Sequence, residues 1–60
     1  MVAGDLVQII NCQTTGFDNG EIGLITYVED IGLHKIYWVM IKGVQVPFWE
    51  NEIGVFNGPG

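Results

Sequence analysis

Positive charge is nearly missing from this sequence. Two lysines, Lys35 and Lys42, and no arginine stand against seven carboxylate side chains, for a formal charge of −5. Affinity for nucleic acid comes largely from basic side chains that release counterions from phosphates. Two lysines cannot build such a stripe, so no nucleic-acid partner is expected, and the same scarcity disfavours an anionic lipid surface. Cysteine is as rare: Cys12 stands alone, which excludes an internal disulfide. With one histidine, His34, and one cysteine, a structural zinc site lacks its ligands. No apolar run approaches the roughly 20 residues of a membrane helix, and no basic segment followed by an apolar one opens the chain, so neither a span nor a secretory signal is expected. What the chain has is hydrophobic material, 48% of 60 residues against 15% charged. That composition excludes a disordered tail and leaves room for one domain, 1–60. A domain of this size buries only about 60% of the surface its unfolded chain exposes and is marginal by itself.

Nine glycines punctuate the chain, and apolar bursts of strand length lie between them. No window keeps a helical period without interruption, so the fold class is all-β. Leu6–Asn11 (LVQIIN) is the first expected strand, opened by Gly4-Asp5. Cys12–Gly20 is a polar loop ending in the turn signal Asp18-Asn19-Gly20. Glu21–Glu29 is a second strand, long enough to bend, with Gly23 as a bulge or a point of close approach. Asp30–Leu33 turns the chain into a third strand, His34–Ile41 (HKIYWVMI), dense in β-branched and aromatic residues. Lys42-Gly43 suits a tight hairpin. Val44–Trp49 is a fourth strand whose Pro47, lacking an N–H, fits an edge. Glu50–Glu52 forms a single 3-10 turn, Ile53–Phe56 a short fifth strand, and Asn57–Gly60 a tail.

Four stretches carry a resemblance: Gly4-Asp5-Leu6-Val7, Gly20-Glu21-Ile22-Gly23-Leu24-Ile25, the apolar strand before Lys42-Gly43, and Glu50-Asn51-Glu52-Ile53. Together they resemble small SH3-like barrels, and more narrowly the small barrel proteins encoded by tailed phages, cyanophages included. The resemblance spans about residues 4–56 and rests on structural glycines and core aliphatics. It implies a five-stranded SH3-like barrel with a single 3-10 turn before the last strand. Some SH3-like barrels of this size are components of virions, and since no catalytic, phosphate-binding or metal-ligating pattern is found among the residues, a non-enzymatic role without cofactor or metal, in a virion or in the host cytoplasm, is expected. Val44-Gln45-Val46 is similar to a Val-Gln-Ile motif of the plasmid-encoded type II dihydrofolate reductases, tetramers of such barrels around a shared pore. Ile9-Ile10 stands where that family carries lysines, and Pro47 where it carries a tyrosine. With no cation to hold folate and cofactor phosphates, that activity is expected to be absent.

The strongest functional signal is a surplus of apolar residues. Strand side chains alternate between faces, so a barrel wall should read apolar inside and polar outside. In the third strand Tyr37, Val39 and Ile41 fill one face, yet Ile36, Trp38 and Met40 fill the other. In the first, Val7 and Ile9 face one way, and Leu6, Gln8 and Ile10 the other. One small interior cannot take both sets. Either a loop such as Cys12–Gly20 folds over the outer face, or Leu6, Ile10, Ile36, Trp38 and Met40 form an exposed patch that docks a partner. Trp and Met are enriched at interface centres, which favours the second reading. Adjacent Phe48 and Trp49 must face opposite sides, so one ring enters the core and Trp49 joins the contact set. The expected partner is another protein, a capsid or other virion component or a host enzyme, with a second copy of the chain also possible.

Other candidate chemistry has plainer explanations. His34 reads as a surface turn residue with no nucleophile beside it in sequence. Cys12 reads as a small buried hydrophobe rather than a reactive thiol. Asp18-Asn19-Gly20-Glu21 lacks the spacing of a calcium loop. Glu50 and Glu52 read as a solvated acidic rim rather than an acid–base pair.

Overall fold

The computed structural model describes residues 1–13 and 16–56. The expected tail 57–60 lies outside the described residues, as do Thr14 and Thr15 of the first loop. Five strands and one short helix follow in order: β1 (Leu6–Ile9), β2 (Ile22–Asp30), β3 (Lys35–Ile41), β4 (Val44–Trp49), the 3-10 turn Glu50–Glu52, and β5 (Ile53–Val55). β1 is two residues shorter than its apolar run because the N–H groups of Ile10 and Asn11 leave the ladder. Both donate to the carbonyl of Glu52, at 2.9 and 3.1 Å. The β3–β4 hairpin closes on Lys42 and Gly43 alone, both at positive φ (51° and 78°), the backbone a two-residue turn needs to match the twist of its strands.

The strands form one antiparallel sheet in the order β4-β3-β2-β1-β5. The sheet is open: among the described residues no ladder joins β4 to β5, which are linked through the 3-10 turn. Pro47 gives β4 no N–H at its centre, and β5 is only three residues long, so these edges offer little to pair.

Burial shows how a single layer makes a core. Val7, Ile9, Ile25, Tyr37, Val39, Ile41, Val46, Phe48 and Ile53 are all at most 6% exposed, and the ladder puts them on one face. No helix covers that face, and a flat sheet would leave it in water. The sheet therefore coils around its own inner side. β2 provides the bend, where the register slips between Ile25 and Tyr27, leaving Thr26 as an extra residue whose hydroxyl donates to the Trp38 carbonyl at 3.3 Å. Such a bulge increases local twist and re-aims the side chains beyond it.

Gly23 is thus not the bulge, but it is the expected point of close approach. A Cβ built there would lie 2.5 Å from Val39 Cγ1, 2.7 Å from Ile41 Cγ1 and 2.8 Å from the Met40 carbonyl oxygen. The last is backbone of the neighbouring strand and cannot step aside. Gly23→Ala should therefore cost about 1–3 kcal/mol in urea unfolding; an unchanged midpoint would contradict this packing.

Candidate functional site

Antiparallel pairing places opposed residues on the same face, with Cβ atoms about 4.5–5.5 Å apart. The outer face can therefore be read row by row. Leu6 opposes Leu24, which opposes Met40, which opposes Gln45. Tyr27 opposes Trp38, which opposes Pro47. Glu29 opposes Ile36, which opposes Trp49. Three adjacent rows thus gather eight apolar or aromatic side chains against only Gln45 and Glu29. Leu6, Leu24, Tyr27, Met40 and Trp49 are exposed, while Ile36 and Trp38 are half-buried by their neighbours. Within this surface the Trp38 indole N–H donates to Glu29 Oε1 at 3.2 Å, satisfying the one polar atom of the ring and fixing its orientation.

Of the residues singled out from sequence, Leu6, Ile36, Trp38, Met40 and Trp49 come together here. Ile10 does not. It shares the outer side but lies beyond the end of β1, four residues and about 13 Å from Leu6 along an extended chain. There its side chain covers the backbone of Gly54, whose added Cβ would sit 3.7 Å from Ile10 Cδ1. Among the described residues, the loop after β1 does not cover the patch. Its apolar residues Cys12 and Phe17 pack against the inner core instead. Phe48 enters that core, at 1% exposure, and Trp49 stays outside at 41%, the division expected of adjacent strand residues.

Leu24, Ile22, Tyr27 and Pro47 belong to the same face and were not anticipated. Ile22 and Leu24 were readable, because they alternate with Gly23 and Ile25. Tyr27 was not: the extra residue Thr26 reverses the alternation after Ile25 and swings Tyr27 outward.

At one end of the patch, His34, Lys35, Trp49, Glu50 and Asn51 line an open cleft of about 480 Å³. The His34 and Trp49 rings stand nearly perpendicular (79°) with centroids 5.9 Å apart. Ile36 explains the meeting: it opposes Trp49 across the ladder, and His34 precedes it by two residues, the diagonal neighbour on the same face.

The expected acidic rim divides. Glu50 is exposed, but Glu52 is fully buried, which corrects the reading of a solvated pair. Its carboxylate accepts from the Trp49 N–H at 2.8 Å and the Gln13 N–H at 2.9 Å. Its carbonyl takes the two N–H groups at the end of β1. A buried carboxylate is tolerated where backbone donors replace its hydration. Glu52 thereby ties the 3-10 turn to the end of β4 and to the first loop, and so holds Trp49, Glu50 and Asn51 in place.

The remaining oxygen-rich stretch is in structural use. Asn19 Oδ1 accepts from the Cys12 N–H at 2.8 Å, and Glu21 pairs with Lys42 at 3.4 Å. Cys12 is half-buried. Among the described residues no group of three or more His, Cys, Asp or Glu is placed to hold a metal ion, and no helix is long and apolar enough to cross a membrane. No family model, curated protein or solved structure matches the chain.

Glu52→Ala should cost about 1–3 kcal/mol, because it takes the acceptor from the part-buried N–H groups of Trp49 and Gln13 and leaves a hole where a buried side chain stood. Glu52→Gln, which restores one acceptor, should recover part of that loss. Denaturant unfolding of the two variants measures both; an alanine variant as stable as the parent would remove Glu52 from this role.

Proposed function

We propose that this chain is a non-enzymatic docking module that binds another protein through the outer face of its sheet, with Leu6, Ile36, Trp38, Met40 and Trp49 at the contact. One observation carries the proposal: three consecutive ladder rows set eight apolar or aromatic side chains against only Gln45 and Glu29, on a face that the described residues of the first loop leave open, since Cys12 and Phe17 pack on the opposite side. A monomer seldom exposes a contiguous apolar patch beyond a few hundred Å² without using it. Trp38 and Met40 sit at the centre of the rows, where interfaces concentrate such residues and exclude charge.

The finer reading of the fold is an SH3-like barrel of the kind encoded by tailed phages. Its support is the succession of elements: a long first loop, a bent second strand, two tight hairpins and a 3-10 turn before a brief last strand. In that setting the module is a small virion-associated structural protein. The formal charge of −5 supports a second version, an acidic modulator that docks on a basic surface of a host or phage enzyme. Co-sedimentation with particles distinguishes the first from a soluble complex with one enzyme, which marks the second. Under either version NADPH oxidation with dihydrofolate should be absent, and a robust rate would replace docking by the reductase reading.

Met40→Glu is the cleanest test of the face. Trp38→Glu would set a second carboxylate beside Glu29, whereas Met40 is 37% exposed between Leu24 and Gln45. The substitution should abolish association while changing the unfolding free energy by no more than about 1 kcal/mol. Association that survives it discards this face as the contact.

A further inference from the structure

The cleft at the end of the patch has a chemistry that the apolar rows lack. It combines a half-exposed indole, a second ring standing perpendicular to it, a side-chain amide and an exposed carboxylate. We propose that this corner receives one arginine side chain of the docked protein. The inference rests on the docking reading and names the chemistry of what docks.

A planar cation is suited to all of these groups at once. Trp49 offers the best aromatic face for cation–π stacking. Glu50 and the Oδ1 of Asn51, on the 3-10 turn, are acceptors for the guanidinium's fork of N–H groups. Glu50 is in no ion pair: among the described residues no cation lies within ion-pair distance of it, and the Lys42–Glu21 pair is at the hairpin that closes the opposite end of β3. Glu29 and Asp30, at the end of β2 where it pairs with the start of β3, add negative charge nearby. A basic partner is also what the whole chain asks for, with its charge of −5.

Lys35 lines the same cleft and opposes any second cation. This selects arginine over lysine. A compact ammonium would meet that repulsion with a point charge alone, whereas a guanidinium also gains stacking and a bidentate grip. The corner is held from behind by buried Glu52, whose carboxylate accepts the Trp49 N–H, so stacking needs no reordering of that strand end.

The test uses the intact chain and three small probes: N-acetyl-arginine methylamide, its lysine counterpart and its citrulline counterpart. The Trp49 indole and Asn51 amide resonances report binding. Saturable shifts with the arginine probe are expected, about tenfold weaker with lysine and absent with citrulline, which keeps the shape and loses the charge. Glu50→Gln, on an exposed side chain, should weaken the arginine probe about tenfold, and Lys35→Met should tighten it. No saturable shift, or equal shifts with arginine and citrulline, overturns the inference. Met40→Glu lies outside the cleft and should leave the titration unchanged. If arginine fails to bind while Met40→Glu still abolishes association, the arginine corner falls and docking stands. If arginine binds while Met40→Glu leaves association intact, the docking face falls, and the corner with it as a partner contact.

Discussion

A sheet has two faces, and a chain of 60 residues can bury only one of them. The rest of this protein's architecture is set by how that limit is met. The strands coil so that nine side chains bury one another on the concave side, with Met1, Cys12, Phe17 and Val28 packed against them. The material that remains is hardly less apolar, and it lies on the convex side. Hydrophobic burial is worth about 25 cal/mol per Å² of apolar surface removed from water. Ring and aliphatic surface left on the outer rows is therefore a store of association energy that folding has not used.

The polar groups of the structure serve the same division. Glu52 is buried where the chain passes from β4 to β5 in three residues, its carboxylate collecting the N–H groups of Trp49 and Gln13 and its carbonyl those of Ile10 and Asn11. Trp38 has its indole N–H answered by Glu29, so the ring can lie in an apolar row without a dangling donor. Thr26 bridges the bulge and lets β2 serve both ends of the curl. Each of these contacts orders the outer face as well as the inner one, and a face that is already ordered loses less entropy on binding.

Much of this was legible in the sequence, for identifiable reasons. Alternation assigned Tyr37, Val39 and Ile41 to the core and Ile36, Trp38 and Met40 to the other side, because seven uninterrupted strand residues leave no room for ambiguity. Lys42-Gly43 announced its turn, and Pro47 its edge. Glycine spacing could not show closure, which depends on whether β4 and β5 meet, and the sheet stays open. Nor could it locate the bulge: Gly23 marked the tight contact with β3, while the extra residue is Thr26, an ordinary strand former. That displacement by three positions hid Tyr27 from the outer face. Glu52 resembled Glu50 in sequence, and only the hydrogen bonds of the 3-10 turn separate a buried clasp from a solvated rim. The pairing of His34 with Trp49 is a diagonal contact across a ladder, which needs the register to be known.

The central claim is that the outer rows are bare in the isolated protein. Solvent paramagnetic relaxation of side-chain methyl groups tests it most directly, at a concentration where sedimentation shows a monomer. The methyls of Leu6, Leu24 and Met40 should relax strongly with a neutral soluble agent, while those of Val39, Ile41 and Ile53 stay protected. Equal protection of both sets in a monomer would mean that the chain covers its own outer face, and would contradict the account.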